Sequence, residues 1–507
     1  MTYLRYLLVL TLVLAGLGAQ EAELAPLSDE SQMCVDCHGQ VTPGVVAAWR
    51  DSRHARTTPT AALAQPALQR RFSADETPAQ GAESAVGCFE CHGQHPDDHA
   101  DAFNHFGYTI STVVSPNDCA TCHTDEVEQY ADTKKANAHG TLAHNPLFSQ
   151  FVSTSTAHRA VVTGALTGEA GTENARNEGC YSCHGTRITV EGLRTVDSML
   201  GEIEVPNLQN WPNSGVGRIN PDGSQGACTA CHTRHTFSIA VARQPETCGH
   251  CHLKPDVPAY EVYKESRHGN LYRARGRDWN WDQVPWRLGE DTEAPTCATC
   301  HNSLLTAGEV DPEVVAPRTH NFGERLWVRI FGLPYSHPQP VHGRTWELRN
   351  AAGQPLPTDL DGTPAATGLI SAAEQADRQV AMSRVCTGCH SSSTPIGHFA
   401  RFNETVRETD LMVRAATDLM NLAWNTGQAN PANLFDEEIE GKWVDQWLIY
   451  ANSARLGSAM MGPDYVGFEQ GWHYMNRNLQ SMGEWLAGRG LLGFPLVPVP
   501  AEPHVAP

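Results

Sequence analysis

Apolar positions recur with a helical period toward the C-terminal end of this chain. Leu411, Ala415, Leu419 and Leu422 mark one face of a predicted helix, and Trp443, Trp447, Tyr450 and Ala454 mark another. Trp472, Met475, Leu479, Met482 and Leu486 follow the alternating three- and four-residue spacing of a helix packed on helices. Residues 401–490 are therefore expected to form a helical domain, whose contacts lie within one bundle or between subunits. The following stretch, 491–507, contains "FPLVPVPAEPHVAP" and reads as a Pro-rich extended tail. Upstream, "RNAAGQPLPTDLDGTPAATG" reads as a loop.

The other end has a different pattern. "MTYLRYLLVLTLVLAGLGAQ" places Arg5 before an apolar run from Tyr6 to Leu14, with small residues near Ala19. This is the layout of an export signal, expected over residues 1–19 and implying a periplasmic protein. Leu17 is not an ideal residue before the cleavage point, so a retained anchor is the alternative. No later segment is long and apolar enough to span a bilayer. The formal net charge of −21 argues against nucleic acid as a partner, because phosphate binding needs Lys and Arg.

Hydrophobic content is 40%, slightly low for a chain of 507 residues. The cysteines explain it. All sixteen fall in eight Cys-x-x-Cys pairs, each followed at once by His. The pairs are Cys34/Cys37, Cys88/Cys91, Cys119/Cys122, Cys180/Cys183, Cys228/Cys231, Cys248/Cys251, Cys297/Cys300 and Cys386/Cys389. The histidines are His38, His92, His123, His184, His232, His252, His301 and His390. This is the attachment signature of c-type haem: two thiols form thioethers to the porphyrin and the adjacent His becomes the proximal iron ligand. A disulfide framework or a set of zinc sites would not require His after every pair. Eight covalently attached haems are expected, supplying much of the apolar interior over residues 20–400.

Each iron has a second axial position. Sixteen histidines remain after the eight proximal ones. His54, His139 and His268 each lie sixteen residues after a proximal His. A helix of that length is about 24 Å long and would carry the second His toward a neighbouring haem. "WRDSRH", ending at His54, and "YKESRH", ending at His268, also share an aromatic-x-x-Ser-Arg-His pattern. His235, one helical turn after His232, and His250, His158, His342 and His473 are further candidates for distal ligands, each weighed against a purely structural role.

Together with the eight motifs, "HFGYTISTVVSPNDCATCH", "DGSQGACTACHTRHTFSIA", "YKESRHG" and "GPDYVGFEQGWHYM" resemble the octahaem hydroxylamine oxidoreductase family over roughly residues 30–490. The resemblance implies a mainly α octahaem c-type cytochrome, wrapped around its haem array and ending in a C-terminal helical bundle. It implies a homotrimer with seven bis-His haems passing electrons to a cytochrome c acceptor. One open haem, here on Cys180 and Cys183, would be catalytic. In oxidative members a tyrosine from a neighbouring subunit is cross-linked to that haem, and Tyr465 matches it. Reductive members lack it. The family's distal pocket has an acid and a tyrosine, matched here by Asp256 and Tyr335. The acid is usually followed by His, whereas this chain has Val257; His337 is a possible replacement.

The expected activity is oxidation of a small nitrogenous substrate, hydroxylamine or hydrazine. The iron would acidify bound N–H groups and Asp256 would act as general base. Read alone, Asp256 could open a turn before Pro258, Tyr335 could be core packing and Tyr465 a loop aromatic. The alternative functions are a nitrite or hydroxylamine reductase on the same fold and a non-enzymatic electron conduit.

Overall fold

The computed structural model describes residues 23–308 and 312–493. The expected signal segment, and residues 494–507 of the Pro-rich tail, lie outside them. The described chain is mainly α, with short hairpins and one small three-stranded sheet. Among the described residues no helix is long and apolar enough to cross a membrane.

Several haem motifs sit on short helices, and some of these starts are fixed by local capping. The first lies in Asp29–Val41, where the Ser28 hydroxyl accepts from the Ser31 amide at 3.1 Å and Asp29 and Glu30 occupy the first turn. The third follows Ser115, whose amide donates to the Asp118 carboxylate at 2.7 Å in a capping box. Cys88–His92, Cys180–His184 and Cys297–His301 are single helical turns that present two thiols and one imidazole together. Between motifs run the hairpins Ala102–His105/Tyr108–Ser111, His158–Val162/Ala165–Glu169 and Thr189–Ser198/Gly201–Gln209.

The C-terminal bundle is built on Ser393–Asn425, a 33-residue helix that runs through residue 400, the expected domain boundary. Glu438–Val444, a π-helical stretch Asp445–Tyr450 and Ala451–Ala459 continue one another, and Trp472–Ala487 packs alongside. Met475, Met482 and Leu486 are fully buried, as their spacing predicts. The face predicted for the long helix is offset. Leu411 is 57% exposed and Ala415 is also exposed, whereas Val413, Ala416, Thr417 and Met420 are buried. Two threonines hide this face from an apolar count. Thr417 Oγ1 accepts from Trp443 Nε1 and Thr409 Oγ1 from Trp472 Nε1, both at 3.0 Å, so each hydroxyl is satisfied in the core.

Candidate redox site

Every motif cysteine and every motif histidine lines one connected cavity of about 2580 Å³. Protein interiors do not keep voids of this size, since ordinary ligand pockets span about 300–1,000 Å³. Four arginines on its wall, Arg71, Arg218, Arg243 and Arg329, are pushed down to about 10 by burial. Cations held in this way favour nearby anions, which porphyrin propionates would supply.

The histidines give a sharper test of fit. Two imidazoles on opposite sides of one metal ion, each bound at about 2 Å, put their ring centroids roughly 6 to 6.5 Å apart. Four pairs meet this: His38 with His105 at 6.2 Å, His123 with His54 at 6.3 Å, His232 with His320 at 6.5 Å and His390 with His268 at 6.1 Å. Each joins a motif histidine to one from elsewhere in the chain. Burial holds His54, His232 and His320 down to about 4, so they are neutral, the form that ligates a metal. His92 Nδ1 lies 2.7 Å from the Ser111 carbonyl and His184 Nδ1 lies 3.2 Å from that of Ala138. These contacts orient the rings and leave Nε2 for iron.

Contacts between cysteines show which motifs adjoin. Their thiols stand for the sulfurs of haem thioethers. Cys34 lies close to Cys88, Cys119 to Cys228, Cys183 to Cys251 and Cys248 to Cys297, and Cys183 Sγ is 3.9 Å from the His250 carbonyl. Cys91 lies within electrostatic reach of Cys122, Cys231 of Cys248 and Cys300 of Cys386. The motifs therefore form a continuous series, with the Cys180/Cys183 motif joined to it through Cys251.

The Cys180–His184 turn is set by backbone contact. A Cβ on Gly217 would lie 2.7 Å from the His184 carbonyl oxygen, and one on Gly215 would lie 2.3 Å from the Gly185 nitrogen. Gly185 itself has φ +92°. Among the described residues no imidazole faces His184 as in the four pairs above, nor does one face His92, His252 or His301 in this way. Asp256 lines the cavity near Cys180, Cys183 and His184. Its exposed surface opens into the cavity, so burial pushes its carboxyl above the usual range while the adjacent His184 pulls it back. Val257 lines the cavity beside it and offers no proton.

The two tyrosines stand elsewhere. Tyr335 is 3% exposed in the bundle core, its hydroxyl donating to the Leu360 carbonyl at 2.8 Å. The chain doubles back at Gly332, where a Cβ would fall 1.3 Å from the Tyr335 carbonyl oxygen, and this turns the ring away from the cavity. His337 is buried with Nδ1 2.7 Å from the Pro338 carbonyl, and it too is off the cavity lining. Tyr465 is 6% exposed within its own chain, packed with Val262 and Leu456 under Lys254, whose Nζ is 5.1 Å from the ring centre. Gly457 makes this possible, since a Cβ there would lie 3.0 Å from that of Tyr465.

The remaining distal candidates divide. His235 lines the cavity close to His92, and His250 lines it beside Cys183. His342 also lines the cavity, its Nδ1 2.8 Å from an Asp132 carboxylate oxygen, whereas His158 is exposed on a hairpin and His473 is exposed beside Phe468. His139 Nδ1 bonds the Gly185 carbonyl at 2.7 Å and the ring lies against Tyr181, off the cavity lining. Sequence reasoning missed His105 and His320. Both stand just before a Phe-Gly step, in "HFG" and "HNFG", a shared signal that spacing from the motifs does not capture.

Comparison with known proteins agrees with this architecture. Residues 218–317 match the family "Seven times multi-haem cytochrome CxxCH", and residues 33–106 and 118–202 match "Cytochrome c554 and c-prime". The chain is 30% identical over 338 residues, 63% of its length, to a probable nitrite reductase-hydroxylamine oxidoreductase fusion protein of Kuenenia stuttgartiensis. It spans 32% of that longer protein. A solved structure described as a hypothetical multiheme protein is 40% identical, covers 92% of this chain and 98% of its own, and superposes with a TM-score of 0.86. A reducing HAO-like protein complex of Kuenenia stuttgartiensis shares the fold, with a TM-score of 0.60 at 18% identity over 91% of this chain and 86% of that one. With its motif sulfurs and imidazoles gathered around one cavity, the chain belongs to the multihaem c-type cytochromes and binds haem c covalently at Cys-x-x-Cys-His segments.

Proposed function

We propose that this protein is an exported octahaem redox enzyme acting on hydroxylamine at the haem on Cys180 and Cys183. The observation that carries this reading is Asp256, a carboxyl on the cavity wall beside a proximal histidine that lacks a facing imidazole. The other motifs would supply the electron path, exchanging electrons with a small cytochrome c.

We take the reductive direction as the first reading. Burial raises the Asp256 carboxyl, which suits a group that exchanges a proton with the substrate. Two electrons and three protons convert hydroxylamine to ammonium and water. A haem held at Cys180 and Cys183 would supply the electrons and a Lewis-acidic iron; Asp256 would donate a proton to the leaving oxygen, and Val257 would keep the adjacent wall dry. The oxidative reading leans on Tyr465, which would have to reach the haem of a neighbouring subunit. Oxidation remains the second reading, favoured by the presence of Tyr465 in "GPDYVG".

Steady-state assays of the purified holoprotein decide between them. With a reduced viologen dye, hydroxylamine-dependent dye oxidation with ammonium as product is expected. Rapid reduction of cytochrome c by hydroxylamine, with no ammonium formed from reduced dye, would reverse the direction. Inactivity both ways, with no exogenous ligand binding at any haem, would leave the conduit.

A further inference from the structure

Three segments of the chain repeat one local structure. Trp49–His54 reads "WRDSRH", Tyr263–His268 reads "YKESRH" and Tyr130–Lys135 reads "YADTKK". In each, an aromatic residue is followed three positions later by a hydroxyl residue. The amides of Ser52, Ser266 and Thr133 donate to the carbonyls of Trp49, Tyr263 and Tyr130 at 2.9, 3.0 and 2.9 Å. The same three hydroxyl oxygens then accept from the amides of Ala55, Gly269 and Ala136 at 3.2, 3.1 and 3.2 Å.

The aromatic tips behave alike as well. Trp49 Nε1 donates to the Val86 carbonyl at 3.0 Å, Tyr263 Oη to that of Pro295 at 3.1 Å and Tyr130 Oη to that of Val216 at 2.7 Å. Two of the repeats thus present a histidine, five positions after the aromatic, to a motif histidine. His54 faces His123 and His268 faces His390. In the third repeat the corresponding side chain is Lys135, and its Nζ lies 3.2 Å from Nε2 of His252, the motif histidine of Cys248/Cys251.

We propose that Lys135 is the distal ligand of the haem attached at Cys248 and Cys251, giving that iron histidine–amine ligation. Two nitrogens on opposite sides of one iron stand about 4 Å apart, so the two atoms need separate by less than 1 Å to admit the metal. Lys135 lines the cavity, and its Nζ lies 5.1 Å from the Phe322 ring centre, against which the stem packs. A deprotonated amine donates one lone pair to iron, as an imidazole does. Axial ligand identity tunes haem potential. This haem adjoins the Cys180/Cys183 haem through the Cys183–Cys251 contact, so the unusual ligand would sit at the first relay beside the open site.

The experiment is low-temperature electron paramagnetic resonance and near-infrared magnetic circular dichroism of the oxidised holoprotein. Carbon monoxide titration of the reduced form accompanies it. The native protein is expected to show one histidine–amine haem. Lys135→His converts it to a bis-imidazole spectrum with carbon monoxide stoichiometry unchanged. Lys135→Ala replaces it with a high-spin signal, and one more haem per chain binds carbon monoxide. A native protein without any histidine–amine signature overturns the assignment. So does a Lys135→His protein whose spectra match the native ones, a comparison that holds even if the alanine variant fails to mature.

Discussion

His268 and His390 face each other with ring centroids 6.1 Å apart and planes inclined by 49°. One starts the Arg267–Arg275 helix and the other closes the last haem motif. The gap between them fits one iron. Replacing His268 with alanine should open that iron without detaching the haem. Carbon monoxide titration of the reduced variant should find one more binding haem per chain than in the parent. An unchanged stoichiometry would sink the pairing.

Asp256 is the side chain most exposed to the chemistry. Asp256→Asn keeps the size and loses the proton, so hydroxylamine turnover should fall about 10²- to 10⁴-fold. The haem spectrum should stay as in the parent, because the carboxyl is not among the attachment residues. Turnover within a factor of two of the parent would remove Asp256 from the reaction.

Tyr465 tests direction. Its ring is buried under Lys254 in its own chain. Tyr465→Phe should therefore leave the optical spectrum unchanged, and the native ferrous protein should show no band to the red of ordinary haem c. A red-shifted band that disappears in the variant would instead establish a cross-link and restore the oxidative reading.

His99 lies between two carboxylates, 3.2 Å from Asp101 and 3.2 Å from Asp118, and their hydrogen bonds raise it to about 10. The ordinary value is 6.5, so this pairing stabilises the fold fully below about pH 6.5 and fades as pH rises toward 10. Thermal melts of the parent should fall across that window relative to those of His99→Gln, whose amide does not titrate. Parallel curves would show that the charge carries none of the stability.

Met482 is fully buried in the bundle core. Met482→Ala should destabilise the bundle by about 2–5 kcal/mol. Native-state hydrogen exchange should show the loss in the Ser393–Asn425 and Trp472–Ala487 helices. Equal loosening of the haem-binding segments would mean that the two regions unfold as one.

What could be read from the chain follows how locally each feature is encoded. A haem motif is five consecutive residues, so each Cys-x-x-Cys-His segment is legible on its own. The seam of Met475, Met482 and Leu486 was legible because its buried positions are apolar. The matching face of the long helix was not, since Thr409 and Thr417 are buried through hydrogen bonds to tryptophans. Distal ligands depend on which segments meet across the cavity. His54 and His268 stood out by their shared word, whereas His105 ends a strand and His320 sits in a bend, neither at a fixed spacing from the motif histidine it faces. Matching Tyr335 and Tyr465 by their neighbouring residues could not foresee the doubling back at Gly332 or the close packing at Gly457.

The cavity bears on how the protein is made. Every motif cysteine lines the one cavity. An enzyme that forms thioethers needs to reach each vinyl group and each thiol, and in the folded chain segments distant in sequence meet around them. Haem must therefore be joined to an open chain, which then closes over groups it already holds. Synthesis has an order: ligation first, compaction second. A chain that misses one haem would carry a hole in its centre rather than a blemish on its surface.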